Sequence, residues 1–200
     1  AKADDLATAM RWMTTLNKDA AEALHGADPH AVTDVTGFGL AGHAAEMAEA
    51  SGCAIELDLE SLPAMPGALD AAATGLVPAG AGKNRTSIAA VLEIADGADE
   101  LRVDLALDPQ TSGGLLAAVT AEAAESIVRR LPGSAARSYL LPHIVRPVQP
   151  GGSIPSIFVV GAQMSSDLRP GWRIFVGNPW YPRRGRGRLG HGAGSMCSLA

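Results

Sequence analysis

A chain of 200 residues that is 47% hydrophobic and 18% charged has material for one domain with a real core, which excludes wholesale disorder. Aromatic residues are only 4%, so that core must be built mainly from Ala, Leu, Val and Ile. The formal net charge of −5 is uneven: residues 161–200 carry six arginines and one aspartate, leaving an acidic body at net −10 that argues against nucleic acid as a partner.

In chain order, Asp4 or Asp5 caps an amphipathic helix whose apolar positions, Leu6, Met10, Met13, Leu16, Ala20 and Leu24, recur at steps of three and four. The polar run Thr14-Thr15-Leu16-Asn17-Lys18 is a candidate break, the methionines are expected as core filler, and Gly26 with Asp28-Pro29 ends the element. A short strand follows over residues 30–35. The sequence Thr33-Asp34-Val35-Thr36-Gly37-Phe38-Gly39-Leu40-Ala41-Gly42-His43 then sets one carboxylate, hydroxyls and three glycines at a strand-to-helix junction. Free backbone N–H groups point outward at such a junction, which suits a phosphate or a metal. Gly39 and Gly42 each cost a helix up to about 1 kcal/mol relative to Ala. They therefore imply close approach of another backbone or of a ligand. The helix closes at Ser51-Gly52.

Cys53, Ile55, Leu57 and Leu59 alternate with Ala54, Glu56, Asp58 and Glu60, the pattern of a strand buried on one face and wet on the other. Pro63 and Pro66 precede a short helix over residues 67–73. Residues 75–85 read as a glycine-rich loop ending in Lys83 and Arg85; it suits a phosphate but lacks P-loop spacing. Residues 87–96 read as helix. Leu101, Val103, Leu105 and Leu107 alternate as a second half-buried strand. Asp108-Pro109-Gln110-Thr111-Ser112-Gly113-Gly114 is a turn, residues 115–119 are a buried strand, and Thr120 caps a helix that Pro132-Gly133 ends. Residues 156–160 are a candidate last strand. From Gly161 onward Arg, Gly, Pro and Ser dominate without a period; basic Gly/Arg tails can bind RNA, but an unstructured tail without a partner is the simpler reading.

Cys53 and Cys197 are too few for a disulfide framework or a zinc site, so a small buried hydrophobe and an incidental tail thiol are expected. No apolar run approaches the roughly 20 residues of a membrane helix and no signal-peptide pattern opens the chain, so a soluble, cytoplasmic protein is expected, with no membrane partner. The first residue is Ala1 and residues 4–24 read as mid-protein helix, which suggests a fragment.

Two of these stretches resemble known signatures. Asp34 to His43 is similar to the D-V-T-G-F-G-L-x-G-H motif of selenophosphate synthetase (selenide, water dikinase), and Asp108 to Leu116 resembles its D-P-Q-T-S-G-G-L-L motif. Met13 to Lys18 matches a third family stretch and Gly80 to Asn84 loosely a fourth; the resemblance is clearest over residues 4–131. It implies an α+β fold, a mixed or antiparallel sheet packed with helices, like the C-terminal domain of aminoimidazole ribonucleotide synthetase-type enzymes. Residues 1–160 would form this domain, with 161–200 a basic tail, disordered or frame-shifted.

The resemblance further implies an enzyme that makes selenophosphate, AMP and phosphate from selenide, ATP and water, usually as a homodimer. The family's nucleophilic Cys or selenocysteine, its essential Lys and most ATP and metal ligands belong to an N-terminal domain without counterpart here, so the chain alone is expected to be inactive. Asp34 is the one residue carried over, as the aspartate that completes the Mg²⁺ set around the ATP phosphates. Thr36 and the N–H groups near Gly37 rank second. The Asp108–Gly114 turn is expected to pack the sheet, and His43 to be a satisfied, partly buried histidine. Phe38 and Gln110-Thr111 argue against another superfamily member, such as a thiamine-monophosphate kinase or a hydrogenase-maturation factor. A non-catalytic remnant or dimerisation module is the alternative.

Overall fold

The computed structural model describes residues 3–62, 64–131, 138–139, 145–147, 156–160 and 173–177. It is an α+β fold. Helices α1 (Ala3–Thr14), α2 (Lys18–Leu24), α3 (Gly39–Ala50), α4 (Ala68–Ala73), α5 (Ala79–Ser87), α6 (Glu100–Leu107) and α7 (Ala121–Arg130) alternate with strands β1 (Ala31–Asp34), β2 (Cys53–Asp58), β3 (Leu92–Ile94), β4 (Leu115–Val119), β5 (Ser138–Tyr139), β6 (Val145–Pro147), β7 (Ser156–Val160) and β8 (Arg173–Gly177). The strands form two antiparallel sheets, in the orders β1-β4-β7-β5 and β3-β8-β2-β6.

Strand β4 shows why the first sheet holds. Every residue of Leu115–Val119 is buried, and the period of two divides them. Leu116 and Ala118 join the main core with α3 and β2, whereas Leu115, Ala117 and Val119 pack with Ala20, Ala23 and Leu24 of α2 and with Ala124 and Ile127 of α7. Helix α3 touches both sheets as well as α5 and α6. Its buried residues are accordingly small: Gly39, Ala41, Gly42, Ala44, Ala45 and Ala48, with only His43 and Met47 larger. Small side chains are what let one helix be covered on most of its circumference.

The break expected at Thr14–Lys18 is present. Thr14 Oγ1 donates to the Met10 and Arg11 carbonyls at 3.0 Å, and Thr15 Oγ1 donates to the Arg11 carbonyl at 2.8 Å, so hydroxyls bond back onto the last turn of α1. Before that break the amphipathic reading fails for α1, which buries no residue: Leu6, Met10 and Met13 are exposed, and so is Leu16. Met10 and Met13 are therefore not core filler.

Four further expectations are corrected. Strand β2 is not wet on one face: Ala54 and Glu56 are buried along with Cys53, Ile55 and Leu57. Residues 79–87 form a helix rather than a loop, with Pro78 just before the first turn, where its missing N–H is harmless. Residues 92–94 are a strand rather than helix, pairing with β8. Residues 100–107 form a helix rather than a strand: the Asp99 side chain accepts from the Leu101 N–H at 3.0 Å, and the buried set Val103, Ala106 and Leu107 has helical spacing. Strand β8, in the stretch expected to lack a period, occupies the interior of the second sheet with Val176 fully buried. The remainder of residues 161–200, including the Arg/Gly run and Cys197, lies outside the described residues. Cys53 is buried and burial raises its thiol pKa, as a small core hydrophobe requires. Among the described residues no helix is long and apolar enough to cross a membrane.

Candidate metal–nucleotide site at the turn between β1 and α3

The strand-to-helix junction is built by segments far apart in sequence. Past the end of the β1–β4 ladder, the Val35 N–H donates to the Gly114 carbonyl at 2.9 Å, the Gly113 N–H donates to the Val35 carbonyl at 3.0 Å, and the Gln110 N–H donates to the Thr36 carbonyl at 3.0 Å. The Asp108–Gly114 turn is thus tied backbone to backbone to the Asp34–Gly39 turn. Ser112, in a left-handed conformation (φ 60°), donates its hydroxyl to the Thr15 carbonyl, and Asn17 Nδ2 donates to the Gly114 carbonyl at 3.4 Å. The Met13–Lys18 stretch therefore closes over the same turn.

Asn84 supplies the fourth tie. Its buried side-chain amide donates to the Gly37 carbonyl and to the Leu107 carbonyl, both at 2.9 Å, binding the site turn to the end of α6. Sequence spacing alone gave no sign of this role; its only signal was that Asn84 ends a stretch loosely like a family motif. Of the two cations flanking it, Arg85 is not left free for a phosphate. Arg85 instead bonds Glu100 on α6, at 2.8 and 3.4 Å, which raises the Arg85 pKa and lowers that of Glu100.

The glycines are explained by packing. A Cβ on Gly39 (φ 68°) would lie 2.7 Å from the Leu107 carbonyl carbon, 2.8 Å from its oxygen and 2.9 Å from the Asp108 oxygen. At Gly113 a Cβ would lie 2.7 Å from the Val35 oxygen. Gly37 differs: it is exposed and a Cβ there would meet nothing within 4 Å.

On this frame Asp34 ends β1 with its side chain exposed, its Cα opposite Leu115. Helix α3 begins at Gly39, after the turn of residues 35–38, without a side-chain cap on its first N–H groups and without an acidic residue in its first turn, so its positive end is not neutralised locally. Beside the turn, Thr36 Oγ1 lies 3.1 Å from His43 Nε2, and His43 Nδ1 lies 3.0 Å from Glu46 Oε2. The Phe38 ring tilts over the His43 ring, centroids 5.5 Å apart. His43 is thus the satisfied, buried histidine expected. Asp108, at the end of α6, has its pKa raised by burial, partly offset by the Gln110 side chain, which donates to Asp108 Oδ2 at 2.7 Å.

Among the described residues no group of three or more His, Cys, Asp or Glu could hold a metal. One exposed carboxylate does not retain Mg²⁺ unaided. It does suit an ion that keeps several waters and is shared between one or two carboxylates and phosphate oxygens. The donor set fits a completing ligand, not a self-contained centre. A wide-mouthed cleft of about 500 Å³ opens on the same face of β1 as Asp34, lined by Leu24, His25, Asp28, Val32 and Leu115 among others; it is mostly apolar and lies beside the turn rather than at it.

Comparison with known proteins agrees with the sequence motifs. Residues 5–137 match the family described as AIR synthase related protein, C-terminal domain. The chain is 40% identical over 142 residues to a selenide, water dikinase of Nitratidesulfovibrio vulgaris, covering 71% of this chain and 40% of that protein. It is 46% identical over 123 residues to one from Caldanaerobacter subterraneus, covering 62% of this chain and 36% of the relative. It is 40% identical over 153 residues to one from Trichlorobacter lovleyi, covering 76% and 43%. The chain thus spans about two fifths of the length of the curated relatives it matches.

Proposed function

The chain belongs to the AIR synthase related protein family, in its C-terminal domain, and from that premise we propose that it is the C-terminal part of an ATP-dependent selenophosphate synthetase. The whole enzyme would convert selenide, ATP and water to selenophosphate, AMP and phosphate, working as a cytoplasmic homodimer. The part played by this chain would be Asp34, one ligand of a Mg²⁺–ATP cluster completed by residues outside it.

One observation carries this reading. The two long motifs that resemble the family meet through three backbone hydrogen bonds at Val35 and Thr36, and the carboxylate left exposed at their junction is Asp34. Each residue then has a task. Asp34 offers hard carboxylate oxygens. The Asp108–Gly114 turn and Asn84 hold the backbone of residues 35–37 in place, so the carboxylate is positioned without reorganisation. The uncapped start of α3 favours negative charge nearby, such as phosphate oxygens. When bound, Mg²⁺ would neutralise charge developing on the phosphates as a phosphoryl group leaves. The nucleophile and the remaining ligands come from outside this chain, so turnover by the chain alone is not expected.

The test is a chimera in which this chain replaces the matching segment of the Caldanaerobacter relative. The chimera should consume ATP in a Mg²⁺- and selenide-dependent manner, and Asp34→Asn should abolish that consumption. Turnover of Asp34→Asn at the parent rate would remove Asp34 from the site. A second reading, a non-catalytic dimerisation module, draws on the exposed apolar side chains of Leu6, Met10 and Met13, which share one face of α1. The chimera separates the two, because a non-catalytic module would leave it without Mg²⁺- and selenide-dependent ATP consumption.

A further inference from the structure

The contact between Thr36 and the His43–Glu46 pair carries more than the satisfaction of a buried ring. A carboxylate has no proton to give, so the hydrogen between His43 Nδ1 and Glu46 Oε2 belongs to the ring nitrogen. In the neutral imidazole this leaves Nε2 as an acceptor. Thr36 Oγ1, 3.1 Å from it, must then be the donor. A hydroxyl has one hydrogen and two lone pairs; with its hydrogen committed to His43, Thr36 presents lone pairs only.

The rest of the turn holds that hydroxyl still. The Thr36 carbonyl accepts from both the Gly39 and the Gln110 N–H, each at 3.0 Å, so the main chain is fixed on two sides. The β-branched side chain is stiff about χ1. The His43 side chain is only 10% exposed and the Phe38 ring tilts over it, whereas the Glu46 side chain is 59% exposed. A histidine that needed only burial and one partner would have been served by Thr36 alone; the additional carboxylate selects which ring nitrogen carries the proton.

We propose that Glu46, acting through His43, positions the Thr36 hydroxyl as an acceptor, so that the Asp34 turn offers a second hard oxygen to a divalent cation bound with nucleoside triphosphate. Thr36 is then cation-facing, directly or through a metal-bound water, and does not donate to a phosphate. Glu46 and His43 are positioning residues. The inference rests on the reading of Asp34 as a metal ligand and adds Thr36 and its two supports to it.

Two measurements test it, the first on the full chain and the second on the chimera with the Caldanaerobacter relative, which completes the site. Long-range ¹H–¹⁵N correlation of the imidazole should show His43 protonated at Nδ1 and bare at Nε2; a ring protonated at Nε2 would overturn the proposal. Titration of the chimera with Mn²⁺·ATP, followed by paramagnetic broadening of the Thr36 and Gly37 amides, should depend on Asp34. In Glu46→Gln the side chain offers Nδ1 a donor as well as an acceptor, so the Nδ1-protonated tautomer is no longer enforced. The Mn²⁺·ATP concentration for half-maximal broadening should then rise about three- to tenfold, the effect of one lost hydrogen-bond-sized interaction. Thr36→Ser should retain the parent midpoint and Thr36→Val should not. If Asp34→Asn abolishes the broadening while Glu46→Gln leaves the midpoint unmoved, this inference fails and the role of Asp34 stands. If the parent chimera shows no Asp34-dependent broadening, the role of Asp34 fails and the cation-facing role of Thr36 fails with it.

Discussion

Asn84→Ala is the substitution that most sharply probes how the site turn is held. The parent amide donates to the Gly37 and Leu107 carbonyls at 2.9 Å each, the second fully buried. Deletion leaves a buried acceptor unsatisfied, about 2 kcal/mol, and a half-buried one, about 1 kcal/mol. A loss of about 3 kcal/mol is a large part of the 5–15 kcal/mol typical of a domain. With a urea m-value of about 2 kcal/mol/M, the midpoint by far-UV circular dichroism should fall by about 1.5 M. Asn84→Asp extends the test, since its oxygens would face two carbonyl oxygens. The introduced carboxyl should have a folded-state pKa raised above its unfolded value near 3.9. The fold should therefore be least stable at neutral pH and recover as pH falls through that raised value. An Asn84→Ala unfolding free energy within about 0.5 kcal/mol of the parent, or an Asn84→Asp variant whose stability does not improve in acid, would refute the clamp.

Gly39→Ala should destabilise by about 3 kcal/mol or more in the same urea assay, combining the left-handed φ with contacts of 2.7–2.9 Å to fixed backbone. Gly37→Ala, which meets open space, should stay within about 1 kcal/mol. Asp108 has its pKa raised above 3.8 by burial, so its protonation favours the folded state: stability from this group is present below 3.8 and is lost as pH rises through the folded value. Asp108→Asn should flatten the pH–stability curve over that interval. Glu100 behaves in the opposite sense, because Arg85 lowers its pKa below 4.5. Its contribution is present above 4.5 and disappears as pH falls through the folded value. Both partners are substantially exposed, at 39% and 63%, so Glu100→Gln should cost about 1 kcal/mol or less, and 1 M salt should erase most of the difference.

How much of this was legible in the sequence depends on the range of the interactions involved. Strand β4, the cap of Thr120 on α7, and α3 with its end at Ser51-Gly52 follow from local pattern and were read correctly. Helix α6 was misread because Leu101, Val103, Leu105 and Leu107 satisfy a period of two. The Asp99 cap and the pairing of Val103 with Ala106 and Leu107 satisfy a helix equally well, and tertiary packing decided between them. Helix α5 was hidden by its glycines: Gly80 allows Pro109 to approach, since a Cβ there would lie 2.4 Å from Pro109 Cγ. Propensity gave way to a contact with a residue 29 positions away.

The candidate site divides the same way. Asp34, Thr36 and the glycines were found as a strand-to-helix junction. The uses of Gly39 and Gly113 were not, because the atoms they admit belong to Leu107, Asp108 and Val35. Nor was the joining of four separated stretches, since spacing along a chain holds no record of a backbone bond such as Gln110 N–H to the Thr36 carbonyl.

The most direct test of the role assigned to Asp34 is Mn²⁺·ATP titration of the chimera, in which the rest of the site is present, against its Asp34→Asn variant. Asp34 is exposed, so the substitution should leave the unfolding free energy within about 0.5 kcal/mol of the parent and isolate the ligand role from stability. The expected result is saturable broadening of the Thr36 and Gly37 amides in the parent and none in Asp34→Asn. Equal broadening in the two proteins, at equal stability, would contradict it.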